Sequence, residues 1–487
     1  MLFNSYIFIL FFLPVTLILY YGLNKLGRES IAKLVLVGMS LWFYSYFHVS
    51  YLFLITSSIL FNYVFSKIIL NKKNNAFFKK ILLAIGILVN VSVIVYFKYF
   101  DFFLENINLI FNSEIPLLNI LMPLGISFFT FQQISYLVDS YRGETAEYSF
   151  LDYALFVIFF PQLVAGPIVL HQEMIPQFND KTRKKISQDK LAQGISLFAI
   201  GLFKKVMIAD TLGKGVNWGF SNTGVLTAVD VVVVALLYTL QIYFDFSGYC
   251  NMACGIANMF HIDLPQNFNS PYKATSILEF WQRWHMSLTR FLRKYIYFPL
   301  GGSRKGKART MLNVLMVFLV SGIWHGAAWT FILWGILHGV ANVLNRLFNE
   351  QWEKIPGLIR WFVTFIFVNL TWILFRAESM QDVKILYSKL IQPWELRISG
   401  ELLNKFDLLE FTYIEEHIGV LGELIATYPW LHLLIVASIA IFIALIPKNC
   451  HEKKFVPNVK NAICSVVLLV WSILSLSGLS TFLYFNF

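Results

Sequence analysis

Charge is scarce in this chain. Asp, Glu, Lys and Arg make up 14% of its 487 residues, while hydrophobic residues make up 57%. A soluble protein carries roughly a quarter charged residues, so a soluble globular class is excluded. The excess apolar surface has to face lipid. In hydrocarbon the backbone must satisfy its own hydrogen bonds, which leaves helices or a closed barrel. The apolar runs are continuous rather than alternating, and that excludes the barrel. Long polar blocks are missing too: the longest mixed polar stretch, about 381–421, leaves no room for an added soluble domain. Cysteine is rare. Four residues, Cys250, Cys254, Cys450 and Cys464, make no disulfide framework, and nothing near Cys250 and Cys254 completes a ligand set, so no metal site is expected. Acidic residues are fewer than basic ones, giving a net charge of +11. The cations are scattered between apolar runs, which suits positive-inside topology and argues against nucleic acid. Two motifs are absent. Residues Gly301 to Ala308 come close to GxxxxGK[ST], but Ala308 stands where a magnesium-binding hydroxyl is needed. No GxSxG elbow occurs, so any serine-esterase half of an acyl transfer lies on another protein.

What is present predicts an all-α polytopic membrane protein in the lipid bilayer, a bundle of about ten spans with broken or re-entrant pieces. Apolar runs fall at 6–21, 34–47, 52–70, 81–99, 191–209, 229–260, 361–375, 431–446 and 462–479. Residues 102–121 suggest an interfacial helix, and 380–390 an amphipathic one. Residues 123–141 mix Ser, Thr and Gln into an apolar run, and 151–168 hold Pro161 and Pro167; both are expected to be broken or re-entrant. The first run follows no basic segment and reads as a span rather than a cleaved signal. Basic loops at 72–80, 181–190 and 448–460 mark the cytoplasmic side, which places both termini outside. There is no internal repeat, and residues 1–487 read as one integral-membrane domain.

The chemistry concentrates in residues 278–340. Ionisable groups at membrane depth are functional candidates by default. His325 lies between apolar runs, flanked by Trp324 and Gly326, with Gly322 leaving space beside it. A neutral imidazole there can serve as a general base; the competing reading is a structural His bonded to a carbonyl. His285, in WQRWHMS, is as well explained by an interfacial belt, and His338 by packing. Asp245 with Gln241 can orient a His or form an internal network; Asp139 near Arg142 reads as an interfacial pair. Arg290, Arg293, Lys294, Arg304, Lys305, Lys307 and Arg309 follow. They satisfy the positive-inside rule, and equally a site for a phosphate-rich cytoplasmic ligand. The tail TFLYFNF, residues 481–487, is either an aromatic belt anchor or presents Tyr484 as a nucleophile or docking element.

The ordered set FWQRWHMSLTRFLRKYIYFPLGGSRKG, SGIWHGAAWTFILWGILHG, PLGISFFTFQQISYLVDSYRG, FFPQLVAGPI, GLFKKVMIAD, QIYFDFSGY, LPQNFNSPY and WILFRAES resembles the membrane-bound O-acyltransferase family. The similarity is greatest to its bacterial branch of alginate and peptidoglycan O-acetyltransferase membrane subunits, and the motif-bearing core covers about 117–345. The resemblance implies a helical bundle around a tunnel, with the two family histidines at His285 and His325 and His325 the essential one. It implies acetyl-CoA as donor from the cytoplasm, with Arg293, Lys294, Arg304 and Lys305 as its binding candidates. His285 would orient the donor or stabilise developing charge. The acetyl group would leave on the outer side through a periplasmic or extracellular SGNH esterase-like partner, for a cell-envelope polysaccharide in the cell (inner) membrane's outer compartment. Tyr484 falls on the central Tyr of the C-terminal aromatic motif thought to carry the acyl group. Asn251 stands where relatives commonly have Asp, and Ser303 where Asn is frequent. Two other classes compete: a transporter relaying protons through buried His and Asp, which an inverted repeat would favour, and a membrane scaffold indifferent to loss of His325.

Overall fold

The computed structural model describes residues 1–450, 452, 455–476 and 480–483. Regular structure among the described residues is helical throughout. Helices α1 (Phe8–Lys25), α2 (Glu29–Ser45), α3 (Ser50–Leu70) and α4 (Ala76–Phe111) come first. Next are α5 (Ile126–Arg142), α6 (Phe150–Ile158), α7 (His171–Asn179), α8 (Gln188–Ser221) and α9 (Ala228–Met259). The short pair α10 (Ile277–Arg283) and α11 (Met286–Leu292) leads to α12 (Lys307–His325), α13 (Trp329–Leu347), α14 (Gly357–Arg376) and α15 (Met380–Leu390). Last are α16 (Gly419–Thr427), α17 (Trp430–Leu445) and α18 (Val459–Leu474).

Seven of these are long and apolar enough to cross a membrane, or eight if α16 and α17, bent by 105°, count as one span. The protein is a multi-pass membrane protein. The sequence-based count of about ten includes helices such as α2 that fall short of that length. The chain forms two compact units. One comprises 1–202, 249–266 and 455–487, the other 203–248 and 267–454.

In the first unit, three departures from expectation have physical causes. Residues 102–121 are not a separate interfacial helix. No Gly or Pro follows Gly86 before Phe111, so α4 continues through a π-helical turn at Val95–Tyr99 and stops at left-handed Asn112. Residues 126–142 are one unbroken helix. The polar side chains bond sideways instead of breaking it: Asn62 on α3 donates to Gln133 Oε1 (2.9 Å), Asn90 on α4 donates to Asn62 Oδ1 (2.7 Å), and Gln133 donates to Ser58 Oγ (2.9 Å). Around Pro161 the chain does break, as expected, after Ile158. There the Gln162 side chain donates to the Phe156 carbonyl (2.7 Å). In the loop after α9, Asp263 receives Lys190 and Arg183. Burial alone would raise its carboxyl, but the two cations hold it below the usual carboxylate range.

In the second unit, α12 and α13 pack at backbone contact. A Cβ on Gly322 would meet the Phe331 carbonyl at 2.5 Å, and one on Gly335 the Phe318 carbonyl at 2.6 Å. Such small-residue contacts are how membrane helices approach closely when lipid supplies no hydrophobic drive. Amphipathic α15, whose bounds match the sequence expectation, buries Leu386 against Ile373, Val231 and Leu226.

Candidate functional site

Two histidines meet in the second unit, and different elements deliver them. α10 begins at Ser276, whose side chain accepts the Glu279 N–H (3.1 Å), and ends where Trp284 turns extended. His285 then sits in the left-handed region (φ 45°) and starts α11. For a non-glycine residue that conformation costs on the order of 1 kcal/mol, so its surroundings must impose it. The segment 267–269 does so. Asn269 N–H donates to the Arg283 carbonyl (2.9 Å) and Met286 N–H to the Asn267 carbonyl (3.0 Å). The Asn267 side-chain oxygen accepts from Ser287 N–H (3.1 Å) and Ser287 Oγ (2.9 Å) and lies 3.1 Å from His285 Nδ1. Phe246 packs edge-on to the fully buried His285 ring at 4.9 Å.

His325 is the last residue of α12, beyond which Gly326 turns the chain towards α13. Its ring is walled by Trp324 (4.8 Å), Phe375 (5.1 Å) and Trp334 (5.2 Å). The His285 and His325 ring centroids are 6.5 Å apart. With hydrogen bonds of about 3 Å to each ring, one small reacting group can touch both. His338 differs. Trp281 Nε1 donates to its Nδ1 (3.2 Å), so its proton is on Nε2, which faces Thr371 Oγ1 (2.9 Å). Both nitrogens are engaged in bracing α10 and α14 against α13, a structural role.

A cavity of about 440 Å³ lies among α10, α11, α12 and α13. Of its lining residues Gln282, Arg293, Phe298 and Ser303 are exposed, while Trp281 and Ser321 are buried. Thr310, Val314, Phe318 and Ser321 line it along one face of α12, and His325 is one turn beyond Ser321 on that face. Trp281 abuts Trp334, which abuts His325. Of the four cationic candidates only Arg293 lines the cavity. Lys294 rests over Tyr295, while Arg304 and Lys305 are exposed in the following turn. Arg346, which the sequence reading passed over, lines it as well and donates to Asn342 Oδ1 (2.8 Å). A polar i,i+4 pair closing an otherwise apolar helix was the available signal.

Of the other candidates, Asp245 lies in an internal network, one of its two expected readings. Asp245 pairs with Lys205 (2.7 Å), which also binds Asp210 (2.7 Å), at the π-helical turn Lys204–Ala209 of α8. In the first unit Asp139 is fully buried and faces His171 Nε2 at 3.3 Å. Tyr484 lies outside the described residues. The residues before it are held in the first unit: Asn4 donates to the Ser480 carbonyl (3.0 Å) and Phe482 meets Tyr249 edge-on at 4.6 Å.

Comparison with known proteins bears on this site. A family model described as MBOAT, membrane-bound O-acyltransferase family, matches residues 41–380. The chain is 45% identical over 412 residues to the peptidoglycan O-acetyltransferase of Helicobacter pylori, covering 78% of each protein. It is 38% identical over 404 residues to the "Probable alginate O-acetylase AlgI" of Pseudomonas aeruginosa, covering 81% of this chain and 76% of that one. It is 30% identical over 248 residues to the teichoic acid D-alanyltransferase of Bacillus subtilis, covering 48% and 62%.

Proposed function

Since the chain belongs to the membrane-bound O-acyltransferase family, we propose that this O-acyltransferase is the membrane subunit that O-acetylates a cell-envelope polysaccharide: peptidoglycan, alginate or a similar glycan. The higher identity to the peptidoglycan enzyme of Helicobacter pylori favours peptidoglycan. It works in the cytoplasmic membrane with both termini outward. The observation that carries the reading is the paired, buried His285 and His325, beside a cavity that is lined by exposed Arg293 and by one face of α12 as far as Ser321, one turn short of His325.

Acetyl-CoA enters from the cytoplasmic side. Arg293 and Arg346 hold its phosphates, with Lys294, Arg304 and Lys305 adding positive potential around the opening. The apolar walls, Leu288, Leu292 and Val314 among them, take the thioester arm. His325 removes the proton from the attacking hydroxyl as its oxygen bonds to the thioester carbonyl carbon. The C–S bond then breaks and the CoA thiolate leaves with the proton His325 took. The attacking hydroxyl is that of Tyr484 or of a group on the partner; a phenol, with an unperturbed pKa of about 10, requires such a base. The acyl-tyrosine passes acetyl to the serine of an SGNH esterase-like partner on the outer side, and the partner modifies the glycan.

Transfer of label from acetyl-CoA, in membranes carrying the protein and its partner, tests this. A His325→Ala protein that accumulates normally should transfer none; retained transfer overturns the reading. An active Tyr484→Phe protein would remove the carrier step alone. No transfer by the wild type would favour a transporter.

A further inference from the structure

We propose that Asn267 is a positioning residue for acyl transfer: it fixes which nitrogen of His285 carries the proton, and so makes His285 a hydrogen-bond acceptor at Nε2. The inference rests on the reading of His285 as part of the reaction site.

Three contacts on a single oxygen settle the argument. Asn267 Oδ1 lies 3.1 Å from Ser287 N, 2.9 Å from Ser287 Oγ and 3.1 Å from His285 Nδ1. The orientation of an Asn amide is usually an assignment between two nearly identical ends. Here a backbone N–H decides it, because the Ser287 amide can only donate. The carbonyl end of Asn267 must face it; the flipped amide would set N–H against N–H at a buried position. With that oxygen fixed as an acceptor, a deprotonated His285 Nδ1 would place lone pair against lone pair. Nδ1 must therefore be the protonated nitrogen, and the lone pair of the neutral ring is on Nε2. The Asn267 carbonyl takes the Met286 N–H as well, so one residue sets both the proton position and the left-handed backbone at His285.

This revises the helper role the family resemblance implies. A neutral His285 in this tautomer cannot donate a hydrogen bond from Nε2 to a developing oxyanion. It can accept one from a hydroxyl or a thiol. Asn267, Ser287, Phe246, Trp324 and His325 pack around its ring, and among these five His325 carries the titratable ring.

Label transfer from acetyl-CoA, measured against pH in membranes with the partner present, tests the role in three variants. Asn267→Asp keeps the acceptor oxygen but puts a carboxylate on Nδ1–H, which favours the imidazolium. The neutral acceptor form then requires a higher pH, so the acid limb of the rate profile should move up by about one unit, with activity recovering at alkaline pH. Asn267→Ala should lose at least about tenfold at every pH. Where it fails to accumulate, Asn267→Asp carries the test alone, since a residue that merely held the loop would leave the limb in place. An Asn267→Asp profile that superimposes on wild type, beside an inactive His285→Ala, overturns the role of Asn267. A fully active His285→Ala overturns the participation of His285 itself.

Discussion

The two histidines of the site are held by different physics. His285 is fixed by hydrogen bonds from an irregular segment, Asn267 to Asn269, which dictate backbone and proton position together. His325 is placed by packing: a helix end, a backbone-to-backbone contact between α12 and α13, and the aromatic rings of Trp324, Trp334 and Phe375. Hydrogen bonds specify where a proton sits. Aromatic walls specify where a ring sits and exclude water. Under the proposed mechanism His325 takes and returns a proton within one turnover, and His285 is its partner with a constant tautomer. His338, equally buried, marks the limit, since donor and acceptor both engage its nitrogens.

Four substitutions break or sharpen this contrast. His325→Ala removes the proposed base and should abolish detectable label transfer, a loss of at least about 10², with normal accumulation in the membrane. Phe375→Ala opens the wall of His325 and should lower stability by about 3 kcal/mol, read as a lower melting temperature in detergent. It should reduce the rate while leaving the pH shift expected of Asn267→Asp in place. Gly322→Ala places a methyl against the Phe331 carbonyl and should cost about 2 kcal/mol by the same measurement. Thr371→Val removes the partner of His338 Nε2 and should cost about 1 kcal/mol, leaving the pH profile of transfer unchanged. A shifted profile for Thr371→Val would put His338 in the chemistry and dissolve the distinction.

The helices were legible because composition and periodicity report burial; His325 stood out by its place between apolar runs, and His285 was singled out by the family resemblance. Residues 380–390 read as amphipathic and are so. Polar residues inside apolar runs were misread where their partners are distant in sequence. Gln133 signals a break only to a reader who cannot see Asn62 and Ser58 beside it. Asp139 offered Arg142 nearby, while His171 faces it across the fold. Asn267 stood in a recognised motif, yet nothing in residue type separates it from Asn269. Only the convergence of three donors on one oxygen does that. Arg346 is one cation among many until the cavity wall is known.

The close packing of α12 on α13 has a consequence for assembly. The two helices are joined only by Gly326, Ala327 and Ala328, so their contact closes over a very short stretch of chain. Closure over such a separation loses little conformational entropy and is fast. The hairpin that ends in His325 can form as soon as α13 is synthesised. Phe375 and Thr371 arrive only with α14. A nascent chain halted before α14 would hold His325 in place with part of its enclosure missing.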